Sequence, residues 1–197
     1  MENNSFSITI VDDRANIFTP FNSEFVKRVK LFGGRLNAAA KCWSVPASAV
    51  DPVRELMRGV YGRDDLDSGT LVTIKLTFNK TVCKTCDAIT VFGKCVAAAT
   101  GRDSGARVGV DVCFLTGTPD SGGSARYWET VIPSGSTVVL HNVSLSLVDE
   151  NALPDGVEYT FVGGDTAKRS ALCKEKEKLL ARIADIDAQI AMLRDDT

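Results

Sequence analysis

From residue 70 to residue 162 the chain is cut into short apolar runs by clusters of Gly, Ser, Asp and Pro. This is the feature that most restricts its fold, because no helix of ordinary length fits between the cuts. The runs 71–78, 82–91, 95–99, 108–115, 127–132, 137–140, 143–148 and 158–162 are rich in Val, Ile, Thr, Leu and Phe. Such residues suit a pleated, half-buried surface. Their spacing predicts an all-β sandwich or barrel. Turns are expected at 101–105, 118–124, 133–136 and 153–156. Pro154-Asp155-Gly156 carries its own mechanism, since proline fixes one dihedral and glycine supplies positive φ.

After Gly163-Gly164 the pattern changes to a helix with a seven-residue repeat. Leu172, Leu179, Ile186 and Leu193 take d positions; Lys176, Ile183 and Ile190 take a positions. The seam is about 33 Å long. An isolated helix of that length is marginal in water, so its apolar stripe needs a cover. Self-association provides one, and folding back onto the β domain, which Leu180 would help, provides another. Isoleucine at a and d favours more than two strands, while Lys176 at a opposes tight packing. Dimer, trimer and tetramer all stay open. Arg182 at g and Asp187 at the next e would pair in a parallel bundle.

The amino-terminal third has a third texture. Residues 6–10 and 15–19 alternate as two strands of a hairpin. Asn22 or Ser23 is placed to cap a helix. Phe25, Val26, Val29 and Phe32 repeat at helical steps, and Gly33-Gly34 ends the run. Residues 42–45 alternate as a short strand closed by Pro46. A second helix covers 48–59, with Val50, Val53, Leu56, Met57 and Val60 inward and Pro52 in its first turn. The resulting plan is α+β: an amino-terminal module over 1–62, a linker over 63–69, a β domain over 70–162 and a coiled-coil helix over 165–197.

The order of the first third, helix, Gly-Gly-Arg turn, Lys-x-Trp-x-Val-Pro strand, helix and Tyr-Gly, resembles the HARP domain that accompanies annealing helicases and its relatives in phage and plasmid proteins. The matching residues are Phe25, Gly33, Gly34, Lys41, Trp43, Val45, Pro46, Leu56, Tyr61 and Gly62. No helicase or nuclease motor follows them here. The resemblance implies binding to single-stranded or branched DNA and a phage or mobile-element source. The residues themselves add charge: 23–62 holds seven Lys and Arg against three Asp and Glu, in a chain of net charge −2. Cations beside a stacking ring are how a single strand is held. Lys27, Arg28, Lys30, Arg35, Lys41 and Trp43 are therefore the expected nucleic-acid contacts. Burial of Trp43 in the core is the competing expectation.

Other motifs have plainer competing roles. Arg102, Arg107 and Arg126 lie in Gly/Ser loops that would aim backbone N–H groups and guanidinium at a phosphate. Cys83 and Cys86 form one CxxC, the sole zinc candidate; a full zinc site usually shows two such pairs. No other cofactor is expected. His141 is the only histidine, so any Ser-His or Cys-His catalyst would have to use it. No nucleophile elbow, phosphate loop or His-Glu-x-x-His motif occurs. A polar, acidic start, six cysteines expected to stay reduced, and no long apolar run predict a cytoplasmic protein with no membrane partner.

The expected function is a non-enzymatic homo-oligomer that binds nucleic acid through its first module. Leu172, Leu179, Ile183, Ile186, Ile190 and Leu193 would assemble it. The rival expectations are an inhibitor or sponge, directed at a host defence protein or a nucleotide signal, and a structural phage component.

Overall fold

In the computed structural model, which describes residues 6–67 and 69–194 but not the side chains of 193 and 194, the chain is mixed α+β. It comprises several small antiparallel sheets and a carboxy-terminal helix. The first unit contains β1 (Ser7–Val11), β2 (Arg14–Phe18), α1 (Ser23–Val29), β3 (Arg35–Asn37), β4 (Cys42–Pro46) and α2 (Val50–Tyr61). Its sheet runs β1-β2-β4-β3. The two helices cover one face of that sheet. Ala15, Ile17, Phe25, Val29, Val45, Val53, Leu56, Met57 and Val60 form the core beneath them.

Local chemistry explains the boundaries. The Asn22 side chain accepts from the N–H groups of Glu24 at 2.9 Å and Phe25 at 3.2 Å, satisfying two donors of the first turn. Gly33 and Gly62 are left-handed, at φ 73° and 67°, and stop the helical segments. The stretch at 63–67, expected as a loose linker, is tied to α2. Arg54 makes two hydrogen bonds to Asp65 (2.9 and 3.0 Å), and Arg58 Nε donates to the buried Asp64 at 2.6 Å. Asp64 also accepts from the backbone N–H groups of Leu66 and Asp67. Burial works to raise the Asp64 pKa, but these donors and Arg58 outweigh it and hold the carboxyl below its usual range.

The second unit holds ten strands: β5 (Leu71–Phe78), β6 (Val82–Thr85), β7 (Ile89–Val91), β8 (Lys94–Ala99), β9 (Ala106–Val108), β10 (Val112–Thr116), β11 (Asp120–Gly123), β12 (Trp128–Ile132), β13 (Thr137–Ser144) and β14 (Val157–Phe161). They distribute over three sheets, ordered β10-β13-β5-β14, β11-β12-β6 and β7-β8-β9. No barrel closes among the described residues. One core joins the sheets, built from Ile74, Leu76, Phe78, Ile89, Val91, Val96, Ile132, Val138, Leu140 and Val143. The buried Thr130 hydroxyl bridges them too, accepting from Ala99 N–H and donating to the Asp87 carbonyl.

Several details differ from expectation: the runs 82–91 and 108–115 are each broken by a turn, the first into β6 and β7 and the second between β9 and β10. Residues 137–140 and 143–144 belong to one strand, β13, interrupted by a bulge between Leu140 and Val143. The extra residue resets the inward parity there. Residues 145–147 form a 3-10 turn rather than strand. Part of the expected turn at 118–124 is β11, paired to β12 along its whole length.

α3 (Gly164–Arg194) rests on β14 and β5 only near its start. Ala171 is buried, Ala167 and Glu175 are half-buried, and Lys178 reaches Asp67 at 3.9 Å. Beyond residue 175 every described side chain of the helix is exposed. No helix among the described residues is long and apolar enough to cross a membrane.

Candidate functional site

Two surfaces bring together the residues singled out by sequence: the edge of the first unit's sheet and the far face of α3.

On the first surface the six expected contacts do not form one basic face. Lys27 is ion-paired to Asp87 of the second unit. Arg28 bonds Glu24 at 3.1 Å, one turn back on the same helix. Both charges are already answered by carboxylates. Lys30, Arg35 and Lys41 are exposed and have no ion pair among the described residues. Arg35 lies opposite Ser44 in register, whereas Leu36 lies opposite Trp43. Alternation therefore puts Arg35 on the opposite sheet face from Trp43. What does converge is a groove between α1 and the β3–β4 hairpin, lined by Phe21, Val26, Leu36, Lys41 and Trp43. Phe21 is 55% exposed and Leu36 61%. Trp43 is half-buried: one side packs on the core, the other faces the groove. The groove thus offers two aromatic rings and one free cation. Phe21 escaped the sequence reading because it falls just before the helical repeat.

On the second surface the heptad residues are bare. Leu172, Leu179, Ile183, Ile186 and Ile190 are 46–55% exposed, as is the flanking Leu180. The helix does not fold back over them. Ala167, Ala171 and Lys178 face the body, and the a/d seam lies roughly 130° around the helix from that face. Leu193 continues the repeat, but its side chain is outside those described.

In the β-domain loops many of the polar groups bond one another. Arg102 binds Asp103 at 2.8 Å. The N–H groups of Thr100 and Gly101 donate to Ser104 Oγ, both at 3.1 Å, so they are not free for a phosphate. Arg126 lies over the ring of its neighbour Tyr127. Arg107 is exposed on β9. Ser121 Oγ donates to the Arg102 carbonyl and holds the two loops together.

Cys83 and Cys86 are both exposed, free thiols. Cys83 sits within β6, and Cys86 follows it at φ 51°. Partial desolvation and then the Glu129 carboxylate push the Cys83 thiol up. No three His, Cys, Asp or Glu side chains gather as a metal site among the described residues. His141 is exposed beside the β13 bulge.

Comparison with protein-family models, with curated proteins and with solved structures gives no match.

Proposed function

We propose that this protein is a non-catalytic, self-assembling binder of single-stranded nucleic acid. The observation that carries the reading is the bare a/d stripe of α3. Covering the exposed half of a Leu or Ile gains about 1 kcal/mol. Two chains joined along the five described seam positions would gain on the order of 10 kcal/mol, against an association cost of about 4–15 kcal/mol. A dimer would be concentration-dependent, and a bundle of more chains, favoured by Ile183, Ile186 and Ile190, would be firmer. Assembly matters for the second half of the reading. One groove with Trp43, Phe21 and Lys41 is a modest contact, but several tethered grooves gain by effective concentration. Lys41, which lines the groove, would meet phosphates there.

On the same reading the three sheets of the second unit are walls of one sandwich, since they share a core. The resemblance of the amino-terminal order supports a phage or mobile-element source and a place in the host cytoplasm.

The test is fluorescence anisotropy with a labelled single strand and a duplex of equal length, at several salt and protein concentrations. The expected result is preference for the single strand and affinity that falls with salt and on dilution below assembly. Equal binding of the duplex, or none of either, overturns it. A second reading, that the protein blocks a host defence protein, is favoured by Leu31 and Leu36, which are 82% and 61% exposed. It predicts partner binding that salt leaves unchanged.

A further inference from the structure

The bare stripe of α3 differs from end to end, and the difference selects the direction of the helix that covers it. Ala167, Ala171 and Glu175, the residues turned toward the body, all lie in the first half of α3; beyond residue 175 every described side chain is exposed. The charges divide near the same point. Residues 165–178 carry five Lys and Arg against three Asp and Glu, whereas 179–197 carry two against four. The seam divides as well. Its a positions are Arg169, Lys176, Ile183 and Ile190, so cations fill the first half and isoleucines the second. The d positions Leu172, Leu179 and Ile186 are apolar throughout and exposed. Ala181 lies midway between Leu172 and Ile190, the ends of this exposed seam.

A parallel pair in register stacks each seam position on its own copy. Lys176 would face Lys176 and Arg169 would face Arg169, and both bodies would crowd one end. An antiparallel pair sets a opposite d. With a two-fold axis at Ala181, Leu172 lies beside Ile190 of the second copy, Lys176 beside Ile186 and Leu179 beside Ile183. No layer between Leu172 and Ile190 then holds two cations. The Lys176 stem covers the isoleucine while its ammonium reaches water. The basic half of each helix runs along the acid-rich half of the other. Leu180, at e, meets its own copy near the axis instead of Glu175. The exposed flanks weigh the other way: a parallel pair gains Arg182–Asp187, and an antiparallel pair sets two Arg182 across the axis. Exposed flanking pairs are weak, whereas like charges stacked in an apolar seam are not. The preference of isoleucine for more than two strands is a rule of parallel bundles.

We infer that the stripe is covered by α3 of one second copy, running antiparallel about a two-fold axis at Ala181. This pairing rests on the self-assembly half of the proposed function and gives it a direction and a number. It has a consequence for the other half. The two Ala171 positions, where each body rests on its helix, are about 30 Å apart along the axis. The bodies therefore lie toward opposite ends of the pair. Only a strand long enough to reach both Trp43 grooves gains from the tether.

Cys173, an exposed thiol at e, supplies the test. The full chain carrying Cys83→Ser, Cys86→Ser and Cys113→Ser keeps it as the reactive thiol. A second version adds Cys173→Ser and Asp187→Cys, and a third adds Cys173→Ser and Lys168→Cys. Position 187 flanks Cys173 of the other chain in the antiparallel pair, and position 168 does so in a parallel one. Each version is mixed with the Cys173 chain and treated with a short bis-maleimide, and links between chains are mapped by mass spectrometry. The 187 version should link to Cys173 and the 168 version should not, and light scattering on the parent should give the mass of two chains. Linking from position 168 instead, or from neither in a protein that assembles, overturns the antiparallel pair and leaves self-assembly standing. So does a mass of more than two chains; three helices, for one, cannot all run opposite to one another. A parent that stays monomeric at high concentration overturns both, and the stripe then belongs to a different partner.

Discussion

The carboxy-terminal helix and the amino-terminal cations invite comparison, because both were legible as contact surfaces and the structure treats them in opposite ways. Every described a/d residue beyond Lys176 is exposed, ready for a cover. Among the amino-terminal cations, Lys27 and Arg28 are already held by Asp87 and Glu24. The lesson is physical. An apolar repeat reports a face, because side chains seven apart must share one side of a helix. A cluster of charges reports no face at all: its members can point in different directions and find carboxylates from distant parts of the chain. Asp87 lies 60 residues from Lys27, and no local pattern could have announced it.

The largest expected effect tests the helical side. Ile183→Asp with Ile190→Asp should abolish assembly, giving a monomer by light scattering with the body still folded. A parent protein that is itself monomeric at high concentration would remove the seam from the comparison.

Next in size is Asp64→Ala, which strips the carboxylate from Arg58 and two backbone donors. It should cost roughly 3 kcal/mol in urea unfolding. The pH dependence follows from the depressed carboxyl pKa. Its stabilisation is complete above the unfolded value near ~4 and is lost as pH falls through the lower folded value. The stabilities of parent and Asp64→Asn should therefore converge in acid. A constant gap would mean that Asp64 acts through shape and not charge.

Trp43→Ala should weaken strand binding by about 1–3 kcal/mol if a base stacks there. Unchanged affinity in a folded variant would make Trp43 a core residue alone. The smallest effect should come from Lys27→Ala and Arg28→Ala. As their charges are already paired, each should change strand affinity by no more than about 0.5 kcal/mol, whereas Lys41→Gln should change it by more. Equal losses at all three would restore the basic face and erase the contrast drawn here.

Much of the fold could be read from local rules. Asn22, one of two cap candidates, Gly33 as the stop of the first helix, and the inward set Val50, Val53, Leu56, Met57 and Val60 are each set by neighbours within a turn or two, whereas the second helix runs past its expected end at 59 to Tyr61 and stops at Gly62. The sheet arrangement could not be read in this way. Alternation places a residue in or out but does not say which strand lies beside it, so one expected sandwich or barrel resolved into three small sheets. The bulge at His141 and Asn142 hid the unity of β13 by breaking its period. The cleft lined by Phe6, Arg63, Gly93, Lys94 and Asn142 was invisible for the same reason as the Lys27–Asp87 pair. Its walls come from the first hairpin, the end of α2, the β7–β8 turn and the β13 bulge.

That turn has one further consequence. A methyl group added at Gly93 would sit 2.5 Å from the Val60 carbonyl oxygen, so the tip of the β7–β8 hairpin presses directly on the last turn of α2. The Asn22 amide donates to the Gly93 carbonyl at 3.1 Å from the other side. Two neighbourhoods that look separable along the chain are thus held by a main-chain close approach and a side-chain hydrogen bond. Prying them apart would uncap one helix and uncover the end of another, so they should melt as a single cooperative body rather than one after the other.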